Sequence, residues 1–148
     1  MQTQAKLERN LASPAILTHA GSEDVHPLRI LHVISYMGRG GAEMGILKLI
    51  AGLGEGFEHR ICTTRGYDAA FVKTSFAEEK MFVAGSSDLK LQFPLLRLAR
   101  IMRQYRPHIV HTRNWGAIEA VAAAKLAGVP VVVHSEHGYE VDLSLIHI

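Results

Sequence analysis

Gly38, Gly40 and Gly41, three glycines within four residues, follow an apolar run and precede a segment with helical spacing. Where a strand delivers glycines to the start of a helix, backbone N–H groups face outward at the positive end of the helix dipole. That is a ready site for an anion. Tyr36 and Arg39 lie beside the glycines, and there is more glycine here than a tight turn requires. The chemistry indicated is the grip of a phosphate or diphosphate. Glu43 would fall in the first helical turn, where a carboxylate suits the dipole, and is expected to cap the helix.

A second set of candidates is imidazole. His108, His111, His134 and His137 cluster around two apolar runs, with Arg113, Asn114 and Trp115 following the first. Zinc binds such rings readily, and His111 with the His134-x-x-His137 pair offers three nitrogens. Geometry argues against it. His108 precedes its run, His111 lies at the far end of it, and the chain leaves extended geometry near Ser135. No metal is expected; two or three of these rings are read as structural and one as functional. His32, inside the first apolar run, is read as a core histidine bonded to backbone. Trp115 either stacks on a ligand ring or plugs a loop against the sheet. Paired carboxylates are missing from these strand ends, which leaves a two-carboxylate hydrolytic mechanism without support.

The elements that must position these residues alternate in type. Short apolar runs at 29–34, 59–63, 80–83, 109–112 and 131–134 predict strands, and amphipathic segments at 42–53, 69–77, 94–105 and 117–126 predict helices. Gly54, Gly56 and Gly128 supply helix stops, Pro94 a helix start, and Pro107 a barrier to continuation. Strands with little polar alternation suit a parallel sheet covered on both faces. The expected fold class is therefore α/β, a Rossmann-like doubly wound parallel sheet with right-handed crossovers. In such sheets ligands collect beyond the carboxyl ends of the strands. That directs attention to the loops at 35–41, 64–68, 113–116 and 135–142.

Several function classes are disfavoured. The third glycine of a dinucleotide fingerprint would fall at Glu43, and the second strand ends in Thr63-Thr64-Arg65-Gly66 where an acidic ribose ligand would be needed. No Gly-Lys-Ser/Thr closes a nucleoside-triphosphatase loop. Net charge is only +2, so no basic field argues for nucleic acid. The 148 residues, 48% hydrophobic, suit one domain with a real core. The single cysteine, Cys62, excludes an internal disulfide and reads as a small buried residue. No apolar run approaches the roughly 20 residues of a spanning helix.

Arg97, Arg100 and Arg103 share one side of the 94–105 helix, opposite Leu95, Leu98, Ile101, Met102 and Tyr105. The plain reading is a solvated face. The sharper one is a patch touching anionic lipid at the membrane surface.

The strand Arg29-Ile30-Leu31-His32-Val33 followed by Gly40-Gly41-Ala42-Glu43 resembles the amino-terminal domain of family-4-type retaining glycosyltransferases with the two-domain GT-B architecture. Further matching stretches run from Arg106 to Asn114 and from Gly128 to Gly138, the latter including His134-Ser135-Glu136-His137. Within that family the sugar transferases of exopolysaccharide and PEP-CTERM export systems are the nearest subgroup by resemblance. The resemblance implies a nucleotide-sugar donor and no further cofactor. Gly40 and Gly41 would hold the donor phosphates, and His137 would be the catalytic residue beside the transferring sugar. Tyr36, Arg113, Asn114 and Trp115 would line the acceptor side. The acceptor would be a glycan or a lipid-linked molecule in polysaccharide biosynthesis.

The domain reading follows. Residues 1–27 are expected to be a flexible leader without the features of a secretory signal. Residues 28–142 are expected to form the acceptor-side Rossmann-like domain, and 143–148 a truncated or non-native tail. The chain is then expected to be an incomplete fragment, inactive alone, whose carboxyl-terminal partner domain is missing. Its expected place is the cytoplasm, with peripheral contact at the inner face of the membrane. Two other readings stay open: a nucleotide-cofactor-binding oxidoreductase domain, and a non-catalytic α/β interaction module.

Overall fold

A computed structural model describes residues 26–85, 94–114 and 117–136. Five strands form one sheet: β1 (Leu28–Ile34), β2 (Phe57–Thr63), β3 (Met81–Val83), β4 (Ile109–Arg113) and β5 (Val131–Ser135). Four helices connect them: α1 (Gly41–Leu53), α2 (Ala69–Ser75), α3 (Pro94–Tyr105) and α4 (Glu119–Ala127). The spatial order is β3-β2-β1-β4-β5, with every neighbouring pair parallel. This is the expected doubly wound α/β arrangement. Observed strand and helix ends differ from the sequence reading by at most two residues, as end fraying and local capping allow.

Register assigns the side chains to two faces. Ile30, His32 and Ile34 lie in register with His59, Ile61 and Thr63 on β2, while Ile30 and His32 also pair with Ile109 and His111 on β4. Successive side chains alternate, so Leu31 and Val33 point to the other face with Cys62 and Val110. That second face carries one buried cluster, in which Leu31, Val33, Cys62 and Val110 pack against Leu98, Ala99 and Met102 of α3 and Ala120, Ala123 and Ala124 of α4. The alanine-rich helix lets α4 approach closely. Burial pushes the Cys62 thiol up to about 12, so it stays protonated and inert.

On the first face α1 and α2 bring Ile46, Phe71 and Val72 onto Ile34 and Ile61. Each fully buried aliphatic side chain in these clusters stabilises the fold by about 1.5–3 kcal/mol. The cover is one-sided, because the cluster includes no residue of β4 or β5. Val131 and Val133 of β5 remain 47% and 44% exposed, and Leu28 of β1 is 45% exposed.

Local chemistry fixes the helix ends. Asp68 caps α2 by accepting a hydrogen bond from Phe71 N at 3.1 Å. Gly128 ends α4 in the left-handed region, φ 73°, where its N–H reaches Lys125 O at 3.1 Å and Val129 N reaches Ala124 O at 3.0 Å. The leader, apart from His26 and Pro27, lies outside the described residues, as do Trp115, His137 and the tail at 143–148.

Candidate functional site

The strand order reverses between β1 and β4: the chain leaves β1 toward β2 and β3, then crosses to β4 and β5. Ligand crevices in open α/β sheets form at this reversal, beyond the carboxyl ends. The two loops that meet there are the glycine turn after β1 and the bend after β4. They hold Tyr36, Gly40 and Gly41 on one side, and Arg113 and Asn114 on the other.

The glycine turn is anchored from below. Thr64 N donates to Ile34 O at 3.1 Å, Arg65 N to Ser35 O at 2.6 Å, Met37 N to Gly66 O at 3.2 Å and Asp68 N to Met37 O at 2.9 Å. Met37 is fully buried while Tyr36, next to it, is 45% exposed at the mouth of the crevice. Gly40 is the N-cap of α1, in extended geometry, and its carbonyl accepts from Met44 N at 3.0 Å. A side chain at Gly40 would collide with the Glu43 carboxylate, which folds back beside it. At Gly41 the space for a Cβ is open. The helix start is thus a glycine-lined turn with the positive dipole end exposed and a carboxylate of its own lying against it.

Arg113 completes the arrangement. It is the last residue of β4 and only 7% exposed. Its Nη1 donates to Ala42 O at 3.3 Å. A Cβ added at Gly45 would fall 2.9 Å from that nitrogen, so the absence of a side chain at 45 makes room for the guanidinium. Burial lowers the Arg113 pKa, yet a guanidinium starts so high that it stays charged. A fixed cation therefore sits beneath the first turn of α1. Asn114 follows in the left-handed region, φ 59°, a conformation asparagine tolerates. Its N–H donates to Ser135 O at 3.0 Å.

An α-helix start, glycines and a buried arginine therefore meet at the reversal point. The sequence model of Glycosyltransferase Family 4 matches residues 39–147. The chain belongs to that family. No curated protein matches it. The match begins at Arg39, so it takes in Gly40, Gly41, Arg113 and Asn114, and a family-4 glycosyltransferase domain handles a sugar donor and an acceptor. In this family-4 chain Tyr36, Gly40 and Gly41 follow β1 and Arg113 and Asn114 close β4, all at the carboxyl end of the sheet, and Arg113 proves to be a buried strand residue beneath α1 where the sequence suggested a loop residue. Arg97, Arg100 and Arg103 are all exposed on α3, away from the crevice, and Arg103 Nη2 donates to Leu126 O at 2.9 Å. Among the described residues no helix is long and apolar enough to cross a membrane.

The histidines differ most from expectation. His32 is bonded not to backbone but to two other rings: its Nε2 lies 3.1 Å from His59 Nδ1 and its Nδ1 lies 3.3 Å from His111 Nδ1. His111 Nε2 in turn lies 2.8 Å from Ser135 Oγ. Burial, then the neighbouring His111, His59 and Arg113, hold His32 down to about 3, so it is neutral. Burial first and Lys80 second lower His59. His134 makes its own bond, Nδ1 to Thr112 Oγ1 at 2.6 Å on the opposite face, and His108 Nδ1 accepts from Arg29 N at 2.9 Å. His59, His32 and His111 contact one another in a row while His108 and His134 stand apart, and among the described residues no group of His, Cys, Asp or Glu could hold a metal ion. The sequence reading missed the partnership of His32 with His59 and His111, and that of His111 with Ser135. The available signal was that His32 and His111 each sit among isoleucines and valines of strands expected to be neighbours.

Proposed function

We propose that this chain is the acceptor-side domain of a retaining glycosyltransferase that moves a sugar from a nucleotide-sugar to a glycan or lipid-linked acceptor in polysaccharide biosynthesis. The observation that carries the reading is the pairing of the Gly40–Gly41 helix start with the buried Arg113 cation at the sheet's reversal point. Glycosyl transfer with retention develops positive charge on the sugar and negative charge on the departing diphosphate. Preorganised N–H groups and a fixed guanidinium stabilise that negative charge with no bond made by the protein. Gly40 and Gly41 are the donor-phosphate residues on this reading. Tyr36, Asn114 and Trp115 face the acceptor, Arg113 supports the turn from beneath, and His137 orients a sugar hydroxyl.

The donor's nucleotide would be held by a second α/β lobe, and the described domain alone is expected to be inactive. The complete reading frame tests this. It should encode a second α/β unit with two spaced glutamates, and its product should transfer sugar from a nucleotide-sugar panel, with transfer falling sharply in His137→Ala. A frame without such a unit, or a product that binds nucleotide-sugars but never transfers, overturns the assignment. Exposed Arg97, Arg100 and Arg103 suit peripheral attachment to anionic lipid on the cytoplasmic side, at about 1 kcal/mol for each arginine near the surface. Absence of binding to phosphatidylserine vesicles at low salt removes that part alone.

A further inference from the structure

Two hollows lie side by side at the amino end of the sheet, beside the carboxyl ends of α3 and α4, and Arg29 and Arg106 line both. The first, about 600 Å³, holds Glu58 and Arg60 of β2, Phe82 of β3 and Tyr105 of α3. The second, about 550 Å³, adds Arg103 and runs to Pro130, just before β5. Joined at Arg29 and Arg106, they make one depression that crosses the sheet from β3 to β5. Four strand spacings of about 4.8 Å give it a length of about 19 Å, which an extended chain covers in about six residues.

Its arginines are held in place. The Arg60 guanidinium stands 5.3 Å from the centre of the Phe82 ring and 5.0 Å from that of Tyr105, and the two rings are 5.8 Å apart. Arg60 Nε is buried without a hydrogen bond among the described residues; Glu58 Oε1, at 3.5 Å, answers its charge but does not bond it. Arg29 Nε donates to Arg106 O at 2.9 Å, which fixes Arg29 across the join. Arg106 has φ 52° at the position after α3, where glycine is the usual residue, so a charged side chain is carried there against backbone preference. Four arginines thus face one carboxylate, Glu58, along the depression. The carboxyl ends of α3 and α4 bring partial negative charge, about half a unit each, and offset only part of that excess.

A run of carboxylates suits this row better than other anions. Planar guanidinium forks take carboxylates two oxygens at a time. A compact anion such as pyrophosphate reaches only part of the row and, in the first hollow, meets Glu58. A flat lipid surface engages protruding cations, whereas Arg60 is recessed between two rings. We propose that this depression binds an extended acidic segment of a partner protein, its carboxylates pairing with Arg60, Arg29 and Arg106 in turn. The glycine turn is at the opposite end of the sheet, so a bound partner leaves that crevice open, and the docking stands independently of the glycosyltransferase reading.

Fluorescence anisotropy of labelled hexaglutamate with the unmodified chain tests it, together with 15N spectra of the arginine Nε–H groups. Binding should saturate at about 20 mM salt and weaken about tenfold or more by about 200 mM. The Arg29 and Arg60 resonances should shift over the same peptide concentrations, and pyrophosphate should leave them unmoved. Arg106→Gly removes a charge while relieving its backbone, so it should melt at or above the parent midpoint and bind hexaglutamate about two- to fivefold more weakly. Glu58→Gln should bind it about two- to fivefold more tightly. Lys48→Gln, exposed on α1, removes the same charge elsewhere and should leave affinity unchanged. No saturable binding, or unchanged or weaker binding in Glu58→Gln, overturns the proposal. So do equal losses in Arg106→Gly and Lys48→Gln, which mean a diffuse field, and citrate binding as tightly as hexaglutamate, which means a compact-anion site. Arg29 and Arg60 shifts produced by phosphatidylserine vesicles and not by hexaglutamate overturn it as well, and assign the surface to a membrane.

Discussion

The guanidinium of Arg113, at the end of β4, donates to the carbonyl oxygen of Ala42 in the first turn of α1, joining the two elements that flank the sheet's reversal point. This contact sets a permanent positive charge beneath a helix start that already carries partial positive charge. Its geometry depends on Gly45, whose missing side chain leaves the guanidinium its place.

Gly45→Ala separates stability from binding. Alanine favours a helix interior over glycine by about 1 kcal/mol. Its Cβ, however, would lie 2.9 Å from Arg113 Nη1, so the guanidinium must shift. Thermal melting should show a midpoint equal to or slightly above that of the parent, while pyrophosphate affinity falls several-fold. An unchanged affinity would show that Arg113 plays no part in the anion site.

Glu43→Gln should act in the opposite sense. The Glu43 carboxylate folds beside Gly40, where a phosphate on the proposed reading would compete with it. A carboxylate at a helix start is worth about 0.3–1 kcal/mol, so removing its charge should tighten pyrophosphate binding about two- to fivefold. Calorimetric titration checks the sign; weaker binding in Glu43→Gln would mean that the carboxylate organises the turn for the ligand.

Gly85→Ala should destabilise the fold with no gain elsewhere. A Cβ at Gly85 would strike the Thr64 carbonyl oxygen, a backbone atom in the loop that braces the glycine turn. Overpacking of this kind costs about 1–3 kcal/mol. Urea unfolding should register the loss as a lower midpoint at unchanged slope.

Stability should fall in mild acid. The folded-state pKa of His32 is depressed to about 3, mainly by burial, against 6.5 for the free group. A depressed histidine contributes stability that is fully present above pH 6.5 and is lost as the unfolded chain binds the proton first. The loss accrues as pH falls below about 6.5 and reaches on the order of 2 kcal/mol by pH 4.5 from this ring alone. Denaturant melts across that range should show the decline, and His32→Gln should flatten it.

The fold was legible because its signals are local. Runs such as Ile30 to Ile34 are apolar on both faces, Pro94 and Gly128 punctuate helices, and Gly38 to Gly41 mark the strand-to-helix turn. Both β1 and β4 could be found, and with them the crevice. What the chain did not disclose was tertiary. That Arg113 turns under α1 depends on the space at Gly45, and nothing within either segment reports it. The imidazole row depends on register: His59 faces His32 only because Ile30 pairs with His59 while His32 pairs with His111. A one-residue slip would send these rings to the other face, and sequence periodicity does not fix such a slip between strands. His137 and Trp115 lie outside the described residues, so their roles remain proposals.

The most direct test of the central claim is an amide NMR titration of this chain with inorganic pyrophosphate at low salt. Saturable shifts confined to Gly40, Gly41 and Ala42, with the Arg113 side-chain resonances moving at the same concentration and the response strengthened in Glu43→Gln, are the predicted result. A hollow of about 600 Å³ at the opposite end of the sheet, lined by Arg29, Arg60 and Arg106 together with Glu58, provides the internal control. Shifts that appear there and leave Gly40 and Gly41 unmoved would contradict the account.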